Sequence, residues 1–331
     1  MIEPDLFLEK LYEQSKQQTL RSPNDARILL EEKLGHLPAP SIDPDLHKTE
    51  TKECIGYTRE RFIFQASEGL SVPFYVLTPH TTVHSFSSVL ALHGHGYGSR
   101  ELVGLNKDGT EGDEGEPGIH QQLAVQLVKK GLKVFVPEIL GFGDRRLSKD
   151  KQEDNSSSCF SLAAAFLMSG STIAGMRVYE ARRLVDIMST FSDVRQEKVG
   201  LVGFSGGGLI AGLVAALDSR VQATVLTGFA NTFKHSILDR NHCVDNYIPD
   251  ILSIGEQPDI LRLIAPRKLF IEAGNEDRVF PIEGVEEAVS QLEAEYQKQG
   301  AMDHFKSDIF QGGHTINGRM FVDWLKEALD K

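Results

Sequence analysis

The sequence predicts an α/β protein: a mainly parallel sheet with helices on both faces, preceded by an antiparallel hairpin and a helical N-terminal extension. Three observations carry this prediction. From residue 88 onward, short apolar or β-branched runs alternate with helical stretches, the rhythm of a sheet whose crossovers are helices. The chain has 331 residues, 40% hydrophobic and 25% charged, enough for one large domain with additions or two modest ones. Finally, the strand-like run 198–202 leads into Gly203-Phe204-Ser205-Gly206-Gly207, and the apolar stretch 209–214 that follows reads as a helix packed on that strand.

Taken in order, residues 5–37 are helical, with Leu6, Leu8, Leu11, Leu29, Leu30 and Leu34 spaced among Glu, Lys and Gln. Ser22-Pro23-Asn24-Asp25 breaks this run and starts a second helix, and Pro38 and Pro40 end it. Residues 1–50 are therefore assigned to a helical extension packed against the main domain, and 51–331 to that domain. The runs 59–65 and 72–78 are joined by a short polar link containing Gly69, which predicts an antiparallel hairpin. Further strands are expected at 89–92, 133–137, 221–226, 268–273 and 305–310. Helices are expected at 121–130, where Gly131 stops the pattern, and at 173–191, with Met176, Leu184, Ile187, Met188 and Phe191 on its apolar side. Two more follow at 283–299 and 319–329.

A net charge of −12 disfavours non-specific binding to nucleic acid or anionic lipid, and no apolar run approaches a membrane span. Cys54, Cys159 and Cys243 are odd in number and far apart, with no C-x-x-C pair. They fit a reducing compartment and give neither a disulfide framework nor a zinc signature. The acidic start Met1-Ile2-Glu3-Pro4-Asp5 lacks the features of a signal peptide. The expectation is a cytoplasmic protein with no nucleic-acid or membrane partner.

Gly203-x-Ser205-x-Gly207 at the tip of a strand-to-helix turn is the chemically informative motif. Such a turn crowds its neighbours, and glycine two residues either side removes the Cβ atoms that would clash. It lifts a serine hydroxyl above the sheet and aims the N–H of Gly206 at the same point, suiting a nucleophile beside developing negative charge. A simple strand–helix connection is the plain alternative. A phosphate-binding loop is not supported, because no Lys-Ser/Thr follows.

A nucleophilic serine needs an imidazole base, and the imidazole needs an acid to fix its tautomer. In the strand–turn–helix setting these follow in the order acid, then histidine. The acid falls in the turn after the 268–273 strand, at Glu276 or Asp277, either of which is within reach of an imidazole. The histidine is His314, after Gly312-Gly313 at the end of the last strand. His235, His242 and His304 have no comparable setting. His93 and His95 are also readable as metal ligands at i, i+2, but no third ligand stands in an obvious relation to them, so no metal and no cofactor are assigned.

With these pieces in order, the chain resembles the α/β-hydrolase superfamily, and within it the dienelactone hydrolase-like and acetyl-xylan-esterase-like branch. The resemblance rests on His93-Gly94-His95-Gly96, the Gly203–Gly207 elbow, Leu263-Ile264-Ala265-Pro266-Arg267, Gly274 to Asp277 with Val279-Phe280-Pro281, and Gly312-Gly313-His314. It covers roughly residues 55–331. It implies Asp277 as the acid, and a His-Gly loop supplying the second oxyanion donor from the backbone of His95, with Gly96 as the alternative. It implies a serine hydrolase of short acyl esters acting through Ser205, His314 and Asp277, with a small-molecule ester as substrate. A peptidase or amidase with the same triad is the nearest rival, and a catalytically silent binding protein the more distant one. The chain departs from dienelactone hydrolases proper, whose nucleophile is cysteine. The resemblance leaves unexplained the N-terminal extension and the Gly- and acid-rich stretch 107–118, read either as a flap beside the site or as a solvated loop. Phe160, Leu162, Phe166, Leu167 and Met168 are read either as an acyl-pocket wall or as core.

Overall fold

The computed structural model describes residues 4–16, 22–39, 43–113 and 115–330. Helices α1 (Asp5–Lys16) and α2 (Pro23–Leu34) come first. Ser22 caps α2, its Oγ accepting the Asp25 N–H at 3.2 Å. Ala26, Leu30 and Leu34 recur one turn apart and are buried, so α2 lies on the core. Arg27 fastens it there by donating to the carbonyls of Ala216 (2.9 Å) and Leu263 (2.8 Å). In α1, by contrast, Leu6, Phe7, Leu8 and Leu11 are exposed, and the Tyr12 hydroxyl donates to Glu256 at 2.7 Å.

Strand β1 (His47–Cys54) has no counterpart in the sequence reading and begins inside the segment assigned to the extension. Its sequence, HKTETKEC, shows no apolar alternation because both of its faces are solvated. It is the outermost strand, and its alternating charges disfavour pairing with another chain. β2 (Tyr57–Ser67) and β3 (Leu70–Pro79) form the expected hairpin, in register from Tyr57 opposite Pro79 to Ser67 opposite Leu70.

The remaining elements are β4 (Phe86–Leu92), α3 (Leu123–Lys129), β5 (Lys133–Pro137), α4 (Ser148–Gln152), α5 (Cys159–Met168), α6 (Ile173–Met188) and β6 (Val194–Phe204). After them come α7 (Gly206–Leu217), β7 (Val221–Thr227), α8 (Gln257–Leu261), β8 (Lys268–Gly274), α9 (Ile282–Lys298), β9 (Phe305–Phe310) and α10 (Phe321–Asp330). Among the described residues, nine strands make a sheet in the order β1-β2-β3-β5-β4-β6-β7-β8-β9. Pairing is antiparallel from β1 to β5 and parallel from there to β9.

Side-chain alternation along the central strands divides the core into two layers. Leu90, Leu201, Leu226 and Ile271 face a layer built with α2, α6, α7 and α9. Val89, Val202, Val225 and Phe270 face the other, built with α3 and α10. The register also lines up the strand ends. Leu92 pairs with Gly203, Phe204 with Thr227, Thr227 with Glu272, and Gly274 with Phe310. The loops after β4, β6, β7, β8 and β9 therefore open on one rim of the sheet.

Helix α6 is buried nearly all round, including Arg177 and Glu180, which no apolar stripe discloses. Both charges are paired. Arg145 donates to Glu180 at 2.6 and 2.5 Å, and Arg177 to Asp245 at 2.6 Å. The described part of 107–118 is a loop anchored to β1 and β2. Glu111 accepts from Lys52 and from the buried Arg59, each at 2.7 Å. On α5, Leu162 and Phe166 pack on the core while Phe160 and Met168 are exposed, so that stretch is neither wholly core nor wholly pocket wall. Among the described residues, no helix is long and apolar enough to cross a membrane.

Candidate active site

Ser205 sits between β6 and α7 with φ 54° and ψ −121°, a backbone conformation that side-chain-bearing residues rarely adopt. Its surroundings hold it there. The Ser205 N–H donates to the Thr227 carbonyl on β7 at 3.0 Å, and its own carbonyl accepts from Gly208 at 2.8 Å. The flanking glycines are steric requirements. A Cβ on Gly203 would stand 2.2 Å from the Gly207 carbonyl oxygen, and one on Gly207 would stand 2.3 Å from that of Leu92.

His314, in the loop after β9, reaches across the rim. Its Nε2 lies 2.9 Å from Ser205 Oγ, and its Nδ1 lies 2.7 Å from Asp277 Oδ2. Asp277 follows β8 and is buried, and its Oδ1 accepts the N–H groups of Val279 (2.7 Å) and Phe280 (3.0 Å). With the carboxylate accepting at Nδ1, the imidazole proton stays on that nitrogen, and Nε2 is left as an acceptor facing the serine hydroxyl. The ring is held between Phe204 and Phe280, with centroids 4.8 and 5.8 Å away. Glu276, the neighbouring carboxylate, is exposed and accepts from Gln311 instead.

A model of the Abhydrolase family matches residues 24–331. The chain belongs to that family. This Abhydrolase protein is thus a hydrolase of the α/β-hydrolase superfamily. It is 29% identical over 252 residues to YtaP of Bacillus subtilis (strain 168), which carries the name of a hydrolase; the match covers 73% of this chain and 77% of YtaP. In fold it is similar to a Bacteroides fragilis NCTC 9343 protein assigned as an acetyl xylan esterase, with a TM-score of 0.82 and 17% identity over 99% of this chain and 96% of that one. It is also similar to a glucuronoyl esterase from Solibacter usitatus, with a TM-score of 0.67, 14% identity, and coverage of 93% and 91%. Acetyl xylan esterase 1 from Thermoanaerobacterium sp. JW/SL YS485 gives a TM-score of 0.55, 18% identity, and coverage of 91% and 98%.

The loop after β4 lies against the Abhydrolase elbow. Among the described residues, the backbone N–H groups of Gly206 and His95 have no protein acceptor. The N–H of Gly94 is taken by His120 Nε2 at 3.1 Å, which helps fix the course of the loop. The two histidines of this loop, read together from the sequence, are separated by the fold. His93 is buried, its Nε2 accepting the Ile139 N–H (3.1 Å) and its Nδ1 donating to the Gly94 carbonyl (2.8 Å). Burial pushes its pKa down to about 3, so it stays neutral. The His95 ring instead turns toward Cys159, Cys243 and Asp245. Burial is the largest single influence and opposes its charge, but the hydrogen bonds to and charges of Asp245 and Cys159 together outweigh it and raise the pKa to about 9.

The structure adds groups that the sequence reading did not single out. Glu272, at the end of β8, accepts the Thr227 hydroxyl (2.7 Å) and the N–H groups of Asn317 (3.1 Å) and Gly318 (2.8 Å). It ties the loop that follows His314 to the sheet, and burial pushes its carboxyl pKa up. Its one hint in sequence is a lone acid in an apolar strand. Of the set-aside histidines, His242 packs edge-on to Phe280 with centroids 5.2 Å apart and so borders the site. His304 is engaged at the Pro266 carbonyl (2.7 Å) and His235 at the Thr232 hydroxyl (2.7 Å). Gly96 and Tyr97 line a cavity of about 380 Å³ with Arg100, Asp144, Arg146 and Ser156, beside the loop rather than over Ser205.

Proposed function

We propose that the protein is a serine carboxylic-ester hydrolase of short acyl esters. The observation that carries the reading is the single imidazole spanning Ser205 and Asp277 at 2.9 and 2.7 Å. Ser205 Oγ attacks the ester carbonyl while His314 Nε2 takes its proton, and Asp277 stabilises the imidazolium. The N–H groups of Gly206 and His95, which have no protein acceptor among the described residues, receive the oxyanion. His314 returns the proton to the departing alkoxide, which leaves as the alcohol. Water, activated by the same nitrogen, then cleaves the acyl-enzyme and restores Ser205. In the cavity beside Gly96, Arg100, Asp144, Arg146 and Ser156 are groups that can hydrogen-bond a hydroxyl-bearing leaving alcohol, in keeping with the carbohydrate esterases among the structural neighbours. The three free thiols fit a cytoplasmic site of action.

The test is initial rates on aryl esters of increasing acyl length beside one matched anilide, for wild type and Ser205→Ala. Turnover of acetyl or butyryl esters that falls by several orders of magnitude in Ser205→Ala is the expected result. Residual activity within about tenfold of wild type would refute the assignment. Turnover of the anilide alone would move the protein to the amidases.

A further inference from the structure

The side chains of His95, Cys159, Cys243 and Asp245 are not used by the proposed chemistry, and they come from separate parts of the chain: the loop after β4, the start of α5, and the segment after β7. His95 Nε2 lies 3.3 Å from Asp245 Oδ2 and 3.9 Å from Cys159 Sγ. Cys159 Sγ lies 3.3 Å from the same Asp245 oxygen. With Cys243 Sγ, the four donor atoms all lie within 4.8 Å of one another. We propose that His95, Cys159, Cys243 and Asp245 form a tetrahedral site for a zinc-type divalent cation that pins the loop after β4.

Geometry carries the argument. Zinc binds His nitrogen and carboxylate oxygen at about 2.0–2.1 Å and thiolate sulfur at about 2.3 Å. A tetrahedron with those bonds has donor–donor edges of about 3.3 Å for N–O, about 3.6 Å for N–S and O–S, and about 3.8 Å for S–S. The spacings in the protein are within a few tenths of an ångström of these edges for the three pairs at hand. Two sulfur donors select a borderline-soft metal over magnesium or calcium.

The outer groups fit as well. Arg177 donates to Asp245 Oδ2 (2.6 Å) and to Cys159 Sγ (3.3 Å), and Asn246 Nδ2 donates to Asp245 Oδ1 (2.8 Å). Such partners orient metal ligands and steady their charge. Two thiolates and a carboxylate are balanced by a dication together with the Arg177 guanidinium, so the occupied cluster is neutral in a mostly buried position. Four protein donors leave no open position, which makes the role structural. That role bears on the neighbouring site, because His95 Nδ1 lies 3.4 Å from where a Cβ of Gly206 would stand. A metal on Nε2 would therefore fix the residue that the proposed function uses as its second oxyanion donor.

The experiment is elemental analysis of the full chain after exposure to Zn²⁺ and gel filtration, with Co²⁺ substitution as the spectroscopic probe. One zinc per chain, a thiolate-to-cobalt charge-transfer band, and loss of both in Cys243→Ser and Cys159→Ala are expected. Chelation of the wild-type protein should lower its melting temperature and expose two further thiols to Ellman's reagent, a readout that needs no variant to fold. Ser205→Ala should bind zinc as wild type does, so failure of the metal site and failure of the hydrolase reading are separable. Three results overturn the site: no retained zinc, a cobalt spectrum without thiolate character, or metal-free protein carrying a Cys159–Cys243 disulfide on peptide mapping.

Discussion

Asp277→Asn isolates what the acid does for His314, because the backbone around it dictates how the new amide must sit. Asp277 Oδ1 accepts two N–H groups, from Val279 and Phe280, while Oδ2 faces His314 Nδ1. The amide keeps the two backbone bonds only by placing its oxygen on the Val279 side and its NH₂ against Nδ1. The opposite orientation sets NH₂ against two N–H donors. It forfeits two hydrogen bonds worth about 1 kcal/mol each and adds desolvation of about 1–3 kcal/mol for each orphaned donor. The first orientation therefore wins. It forces Nδ1 to accept and moves the imidazole proton to Nε2, where it can no longer take the Ser205 proton. A wrong-tautomer histidine costs about 10⁴-fold in kcat. At about 1.36 kcal/mol per decade, that is about 5 kcal/mol of transition-state stabilisation. Steady-state kinetics on an aryl acetate should show the loss in kcat with KM little changed, and thermal unfolding should show a folded protein. Glu276→Gln is the matched control and should stay within about twofold of wild type, since its carboxylate faces Gln311 and solvent. A folded Asp277→Asn enzyme within about tenfold of wild type would show that Asp277 does not set the tautomer.

Two other substitutions probe the scaffold. Gly207→Ala places a methyl group 2.3 Å from the Leu92 carbonyl oxygen and 2.5 Å from that of His93, both rigid backbone at the end of β4. It should cost about 2–3 kcal/mol by overpacking and lower kcat by pushing the elbow from the oxyanion loop; unchanged melting temperature and turnover would contradict the steric account. Glu111→Gln tests the anchoring of the 107–118 loop. The Arg59 hydrogen bond, helped by Lys52, pushes the Glu111 pKa down to about 2. A carboxyl whose folded pKa is depressed adds stability that is present above its unfolded pKa of about 4.3 and lost as pH falls through the folded value. The variant should therefore be less stable than wild type at pH 6, and the difference should close between about pH 4.3 and 2. Melting temperatures that differ equally at pH 6 and pH 2 would refute the pairing.

Much of this molecule is written in local pattern. Strand and helix periodicities, glycines two residues either side of Ser205, and a histidine after Gly312-Gly313 are legible because each depends on residues near in sequence. They determine the α/β class, the strand–turn–helix elbow and the serine-to-acid-to-histidine order. What local pattern leaves open is decided by contacts across the fold. Glu276 and Asp277 are equivalent in sequence, and only the turn after β8 sends one to His314 and the other to Gln311. β1 carries no apolar alternation because neither of its faces is covered, so pairing with β2 alone makes it a strand. Arg177 is not among the apolar residues that mark the covered side of its helix, yet it is buried, paired with Asp245 68 positions away. His95 reads as half of a histidine pair, yet the folded chain turns it from His93 and brings Cys159 and Asp245 to it from far along the sequence. The physical reason is common to these cases. Periodicity reports which face of an element is covered, while the identity of the covering groups depends on how distant segments close over one another.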